Sequence, residues 1–316
     1  MIKKIIYQNS KLKFYHFIFF VCYIFSSNMY SQQMPNYTQY LYNMQVVNPA
    51  FVGYRSDLNI SLLSRDQSVG VPGAPKTKTF SLNARAYGGL ALGTTVIKEE
   101  IGFSETANIN LDVSYTLITS RNSRLAFGLK GGITSFNNNF SEAITPDNDV
   151  YASNSGNFFN IGFGALYYNE KFYLGLSLPY LLESPQFYIQ DNFNKSSIAK
   201  NQNIFLSTGY VYQLSRNIMF KPSTMIRYTT NSPISLDLNA NFLYKEKIEA
   251  GLSYRLENSI SALFSIIINK KYRVGYAYDY KMNSIIGNFN SHEFIIHLDF
   301  NLLRNTRWLE PNKCFF

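Results

Sequence analysis

Histidines, cysteines and paired carboxylates are the residues best able to support metal or acid–base chemistry, and this chain has few of them. Beyond residue 31 it carries two histidines, His292 and His297. They stand in a segment of alternating polarity at odd spacing, so a strand sends them to opposite faces and they cannot share one metal ion. Asp147 and Asp149 read as solvated loop carboxylates. Cys314 is the only cysteine after Cys22, so a chain without its first 31 residues has no internal disulfide. Gly88-Gly89 reads as a tight turn and Gly131-Gly132 as a bend within a strand, because a phosphate loop needs a strand-to-helix setting. No serine, histidine and acid fall into a nucleophilic set, and no two carboxylates form a matched acid/base pair. The expectation is a protein that is not an enzyme, with no catalytic residue, cofactor or metal.

The elements that position these residues follow from composition and periodicity. Charged residues make up 16% of the 316, against 46% hydrophobic and 16% aromatic. That is well below the roughly 25% charge of soluble domains. Lys3, Lys4, Lys11 and Lys13 precede the apolar run Phe14–Phe25, and small and polar residues follow. This pattern predicts a signal peptide over 1–31, cut after Ser31. The run is too short to cross a bilayer as a helix, which takes about 20 residues. Removing 1–31 lowers the net charge from +9 to +5. The remaining lysines and arginines are scattered and form no basic stripe, so no nucleic-acid partner is expected.

Beyond residue 31 the dominant signal is period-two alternation. Ile109, Leu111, Val113, Tyr115 and Leu117 alternate with polar residues. Leu236, Leu238, Ala240, Phe242 and Tyr244 alternate with Asp237, Asn239 and Asn241, and Val274, Tyr276, Tyr278 and Tyr280 alternate with Gly275, Ala277 and Asp279. Each such run is a strand with one apolar and one small or polar face. Such patterns, with short turns at every second connection, predict about 14 antiparallel strands between residues 55 and 303. The short connections are 87–89, 120–122, 169–171, 215–217, 245–247 and 269–271; the long ones are 66–77, 136–157, 180–202 and 282–291.

Short turns at one end and long loops at the other, with an even strand number, define an all-β fold of the outer-membrane β-barrel type. In hydrocarbon each unpaired backbone group costs several kcal/mol, so a chain without helical spans enters a bilayer only as a closed sheet. Tyr167, Tyr168, Phe172, Tyr173, Tyr210, Tyr212 and Tyr228 lie near strand ends. They fit an interfacial aromatic girdle, and equally the ordinary strand preference of aromatics. Asp112, Asp237 and Asp279 fall on inward faces within reach of Lys130, Arg227, Arg255 or other lumen cations, which points to a polar interior network and a filled lumen rather than a wide pore. Residues 32–54 lack sustained alternation; the residues leave open a periplasmic extension or a plug. The tail 304–316 lies beyond the last strand.

Four segments carry a resemblance. Pro35 to Asn43 (PNYTQYLYN) is followed by Asn48, Pro49, Ala50, Phe51, Val52 and Gly53. Next come Arg65, Gln67 and Gly70, then Gly73, Ala74, Pro75, Lys76 and Thr77. The third runs from Leu90 to Gly102. The fourth comprises Arg273, Val274, Gly275, Tyr276, Ala277, Tyr278, Asp279 and Tyr280, with Ser291, His292 and Glu293 following. In this order they resemble the PorP/SprF family of type IX secretion membrane proteins over about residues 34–303. Ser68 stands where the family usually has Trp, Asp66 where Asn is common, and Glu100 at the third segment's acidic position.

The resemblance implies an outer-membrane barrel, bounded by lipid, that supports secretion or surface anchoring of a cargo such as a large adhesin, in gliding bacteria among others. It also implies periplasmic, peptidoglycan-associated secretion components as partners. The matching positions, Asn48 to Ala50, Gly53, Arg65, Gln67, Gly73 to Pro75, Gly275, Tyr276, Tyr278 to Tyr280, His292 and Glu293, are read as structural or partner-binding. A pore for small solutes is the alternative, and the state of the lumen separates the two.

Overall fold

The computed structural model describes residues 37–140, 153–182, 202–230, 232–282 and 290–300, with the backbone of 185–191 and 194–199. The predicted signal peptide, Asp147, Asp149, Cys314 and the tail lie outside the described residues. The strands are β1 (Leu58–Asp66), β2 (Lys76–Arg85), β3 (Leu90–Ile101), β4 (Ser104–Ile118), β5 (Ser123–Asn138), β6 (Asn154–Asn169) and β7 (Phe172–Leu178). They continue as β8 (Pro185–Asp191), β9 (Asn194–Ala199), β10 (Asn203–Tyr210), β11 (Tyr212–Gln213), β12 (Ile218–Thr229) and β13 (Ser235–Tyr244). The last are β14 (Ile248–Arg255), β15 (Ser259–Ile268), β16 (Tyr272–Lys281) and β17 (Ser291–Phe300).

Every barrel strand pairs antiparallel with its neighbours. β1 pairs with β17, and β10 pairs with both β7 and β12, which closes the ring. β11 continues β10 after a break at Val211, whose N–H turns to the Lys171 carbonyl, 2.8 Å away. With β10 and β11 counted as one, the closed barrel has 14 strands. β8 and β9 form a separate hairpin within the 179–202 connection, which alternation in the sequence did not signal. β5 runs through Gly131-Gly132 in continuous register with β4 and β6, so the expected bend is absent there. Gly132 instead leaves room for Asn110, which a Cβ would strike.

The connections segregate by end. At one end all are tight: 86–89, 119–122, 170–171, 214–217, 245–247 and 269–271. The opposite end carries 67–75, 139–153, 179–202 and 282–290, together with shorter links at 102–103, 230–234 and 256–258. The first end is the turn side and the second the loop side; in outer-membrane barrels such ends face periplasm and exterior respectively.

Burial shows which face meets which medium. Leu111, Leu129, Phe159, Leu252, Val274 and Phe294 point outward and are exposed, whereas Asn110, Asp112, Lys130, Asn241, Glu249 and Glu293 point inward and are buried. No helix among the described residues is long and apolar enough to cross a membrane. An apolar exterior of this extent needs an apolar solvent, and a closed sheet satisfies its own backbone there.

Candidate functional site

The barrel encloses residues 37–54, nearly all of them buried, as three short 3-10 turns at Tyr40–Tyr42, Met44–Val46 and Pro49–Phe51. The segment begins near the loop side and descends. Thr38 Oγ1 donates to Asp279 Oδ1 at 2.7 Å, and the Thr38 and Gln39 N–H groups donate to Glu293 at 2.9 and 2.7 Å. Lower down, Gln45 Nε2 donates to Asp112 at 3.0 Å, and Lys130 Nζ donates to the Gln45 and Val46 carbonyls at 3.2 and 3.1 Å. Asn48 Nδ2 reaches the Ala165 and Leu176 carbonyls, and its Oδ1 accepts from Ala50 N–H at 2.9 Å. At the turn side Arg85 donates to the carbonyls of Gly53 and Tyr54, and the chain enters β1. Residues 37–54 of the segment 32–54 are therefore a plug within the barrel, and 32–36 lie outside the described residues.

The plug is held by charge pairing and close packing together. Arg65 meets Asp279 at 2.5 Å and Glu293 at 2.9 Å, and donates to Thr38 Oγ1 at 3.0 Å. Lys130 faces Asp112 at 3.5 Å and Arg255 faces Asp237 at 2.8 Å, as the inward carboxylates suggested, and Asp279 pairs with a further lumen cation, Arg65. Arg273 pairs with Glu249 and lies over the Tyr42 ring, 4.5 Å from its centroid. Apolar residues also point inward: Leu63, Ile97, Leu166, Phe205, Met225 and Ile295 join the plug's Tyr40, Leu41, Met44, Val47 and Phe51 in one core. Glycines admit the plug where its backbone touches the wall. A Cβ at Gly128 would collide with Pro49 and Ala50, and one at Gly164 with Asn48. Beside Tyr37 a void of about 20 Å³ remains among Phe205, Met225, Arg227 and Arg255, room for about one water.

The motif positions fall into three groups. Asn48, Pro49, Ala50, Gly53, Arg65, Asp279 and Glu293 build the plug and its anchor, with Gly275 making room for Gln39. Gly53 takes φ +71° where the plug turns toward β1, a conformation that favours glycine. Gln67, Gly73, Ala74 and Pro75 shape the loop between β1 and β2. The Gln67 N–H donates to the Pro75 carbonyl at 2.9 Å, and the Gly73 carbonyl accepts from Gly102 N–H at 2.9 Å. Tyr276, Tyr278, Tyr280 and His292 face outward, with Tyr276 OH 2.7 Å from His292 Nδ1 and the Tyr276 ring 4.9 Å from Phe294. His297 faces inward against Asn59, Ser61 and Asp299, so the two histidines lie on opposite faces as their spacing required.

Aromatics band the exterior. Near the turn side, rings run from Tyr210 to Tyr212 along one strand (4.4 Å), then across strands from Tyr212 to Phe220 (6.4 Å) and from Phe220 to Phe242 (4.7 Å). Tyr167, Phe172 and Tyr228 also face outward, whereas Tyr168 and Tyr173 point inward and are buried, so the girdle reading fails for these two and the strand preference of aromatics remains. Phe51 meets Tyr173 edge-on at 6.1 Å, so that ring packs on the plug. Among the described residues no three His, Cys, Asp or Glu converge on a possible metal position.

This geometry defines an outer-membrane β-barrel with an internal plug. The family model described as type IX secretion system membrane protein PorP/SprF matches residues 29–298, and the chain belongs to that family. No curated protein matches the sequence. Among solved structures, the chain is similar to the toluene transporter TbuX of Ralstonia pickettii at TM-score 0.48 and 10% identity, covering 80% of this chain and 92% of that one. It is similar to Omp33 of Acinetobacter baumannii at TM-score 0.46 and 9% identity, covering 78% and 100%. For the toluene transporter TodX of P. putida the values are 0.47 and 10%, covering 82% and 94%.

Proposed function

We propose that this barrel is a non-enzymatic docking component of type IX secretion, supporting export or surface anchoring of a particular cargo such as a large adhesin. The observation that carries this reading is the filled lumen. A plug bound through Arg65, Asp112, Lys130, Glu293 and close glycine contacts suits a rigid scaffold better than a conduit for solutes. Rigid strands presenting loops on one side and tight turns on the other give separate surfaces for an exterior cargo and for periplasmic, peptidoglycan-associated components. Export by the signal peptide predicted over 1–31 places the chain in the periplasm before membrane assembly.

The test is a strain lacking this chain, compared with the same strain carrying it on a plasmid. Surface-exposed proteins are labelled with an impermeant reagent and quantified. The expected result is loss of one or a few type IX cargo proteins from the surface, restored by the plasmid. Unchanged surface levels of every type IX cargo count against the reading.

A further inference from the structure

The barrel rim is level on the turn side and uneven on the loop side. β3, β4, β5 and β6 have 12, 15, 16 and 16 residues, whereas β7 has 7. β6 pairs with β5 along its whole length, Asn154 to Asn169, but with β7 only from Phe163 to Tyr168. Just above that pairing the Leu181 N–H donates to the Ile161 carbonyl at 2.8 Å, which shows that residue 161 directs its backbone toward the β7 side. Backbone direction alternates along a strand, so Ser155, Asn157 and Phe159 direct theirs the same way. Among the described residues these three have no strand partner there.

The outward side chains change character at the same height. Val96, Ile109, Ile133 and Phe159 form one cross-strand row, and the row above is Lys98, Ala107, Ser135 and Asn157. Glu100, Glu105, Asn137 and Ser155 follow. The open edge therefore starts at the last apolar row, at Phe159, and continues beyond the belt at Asn157 and Ser155. Unpaired backbone is costly in hydrocarbon and tolerable in water. The edge is also held in shape: Phe136 and Phe158 stack at 5.4 Å on the inner face, and Asn138 Nδ2 donates to Asn154 Oδ1 at 2.7 Å.

Exposed edges are usually guarded by lysine, proline or a bulge. The segment 154–162 (NSGNFFNIG) contains no charge and no proline, and its register with β5 is unbroken. Phe159 is 76% exposed at its base. An unguarded edge with a protruding aromatic is suited to strand addition, in which main-chain hydrogen bonds supply affinity and alternate side chains supply selectivity. We propose that the β6 edge at Ser155, Asn157 and Phe159 is where the exported cargo docks, adding an extended segment of its own chain as a strand. This rests on the cargo-docking reading above.

Asn157→Pro removes an N–H that β5 does not use, at an edge position where proline is sterically tolerated. Asn157→Ala keeps that N–H and changes the side chain alone. In the strain lacking the chain, a plasmid bearing Asn157→Pro should give normal heat-modifiable barrel and lose surface cargo, while Asn157→Ala retains it. Normal surface cargo with Asn157→Pro overturns the proposal, and leaves the docking reading intact if the strain without plasmid still loses cargo. If Asn157→Pro does not assemble, amide exchange on the unaltered protein in detergent decides. Exchange at 155–159 should slow when purified cargo is added, and unchanged exchange overturns the proposal. Conversion of a dimer to a monomer by Asn157→Pro, with cargo unaffected, also overturns it by assigning the edge to a second copy.

Discussion

Arg65→Ala is expected to destabilise the barrel by about 3–5 kcal/mol, the cost of leaving buried charge unpaired. Arg65 is 3% exposed and lies between Asp279 and Glu293, the latter fully buried. Without the guanidinium, the Asp279 carboxylate at the Thr38 hydroxyl and the Glu293 carboxylate at the Thr38 N–H lose the cation they share. The loss reaches further than one pair because both carboxylates also hold the start of the plug. Denaturant unfolding of the purified protein in detergent measures the effect through the midpoint. A triple variant, Arg65→Met with Asp279→Asn and Glu293→Gln, removes the charges together and should recover much of the stability. An unchanged midpoint for Arg65→Ala would show that the cluster does not anchor the fold.

Leu238→Arg tests the opposite face. Leu238 points outward between Thr224 and Tyr254 and is 44% exposed to the surrounding medium. An arginine near the middle of a lipid-facing strand costs roughly 2–4 kcal/mol. The substitution should lower the fraction of heat-modifiable barrel in isolated membranes and shift its unfolding midpoint down. Wild-type migration and midpoint would contradict the assignment of this face to lipid.

The barrel was legible in the sequence because each property that defines it is local. Period-two alternation marks the strands, and tight polar turns at every second connection mark one rim. Thus β13, from Ser235 to Tyr244, contains the whole alternating run from Leu236 to Tyr244. The inward direction of Asp112, Asp237 and Asp279 followed from the same alternation. Their partners followed only where they were cross-strand neighbours, as with Asp112 and Lys130 or Asp237 and Arg255. Arg65 and Asp279 lie on strands separated by β17, so no local pattern links them.

The plug was less legible, because 37–54 has no periodicity and its order comes from contacts with distant strands. A signal was present nonetheless: Leu63, Ile97, Leu166 and Ile295 sit on faces that alternation makes inward, where an open aqueous lumen would favour polar residues. Inward glycines at 128 and 164 carry the same message, since each gives space to a backbone that arrives from elsewhere. The hairpin β8–β9 was likewise hidden, because the length of a connection does not reveal a strand pair within it.

The most direct test of a plugged barrel is planar-bilayer conductance of the full-length protein, with incorporation verified by heat-modifiable migration of protein recovered from the same membranes. The plug described by residues 37–54 predicts a barrel that inserts and passes no steady current. A stable ohmic current from incorporated wild-type protein would mean a continuous water path through the lumen, and would contradict the account.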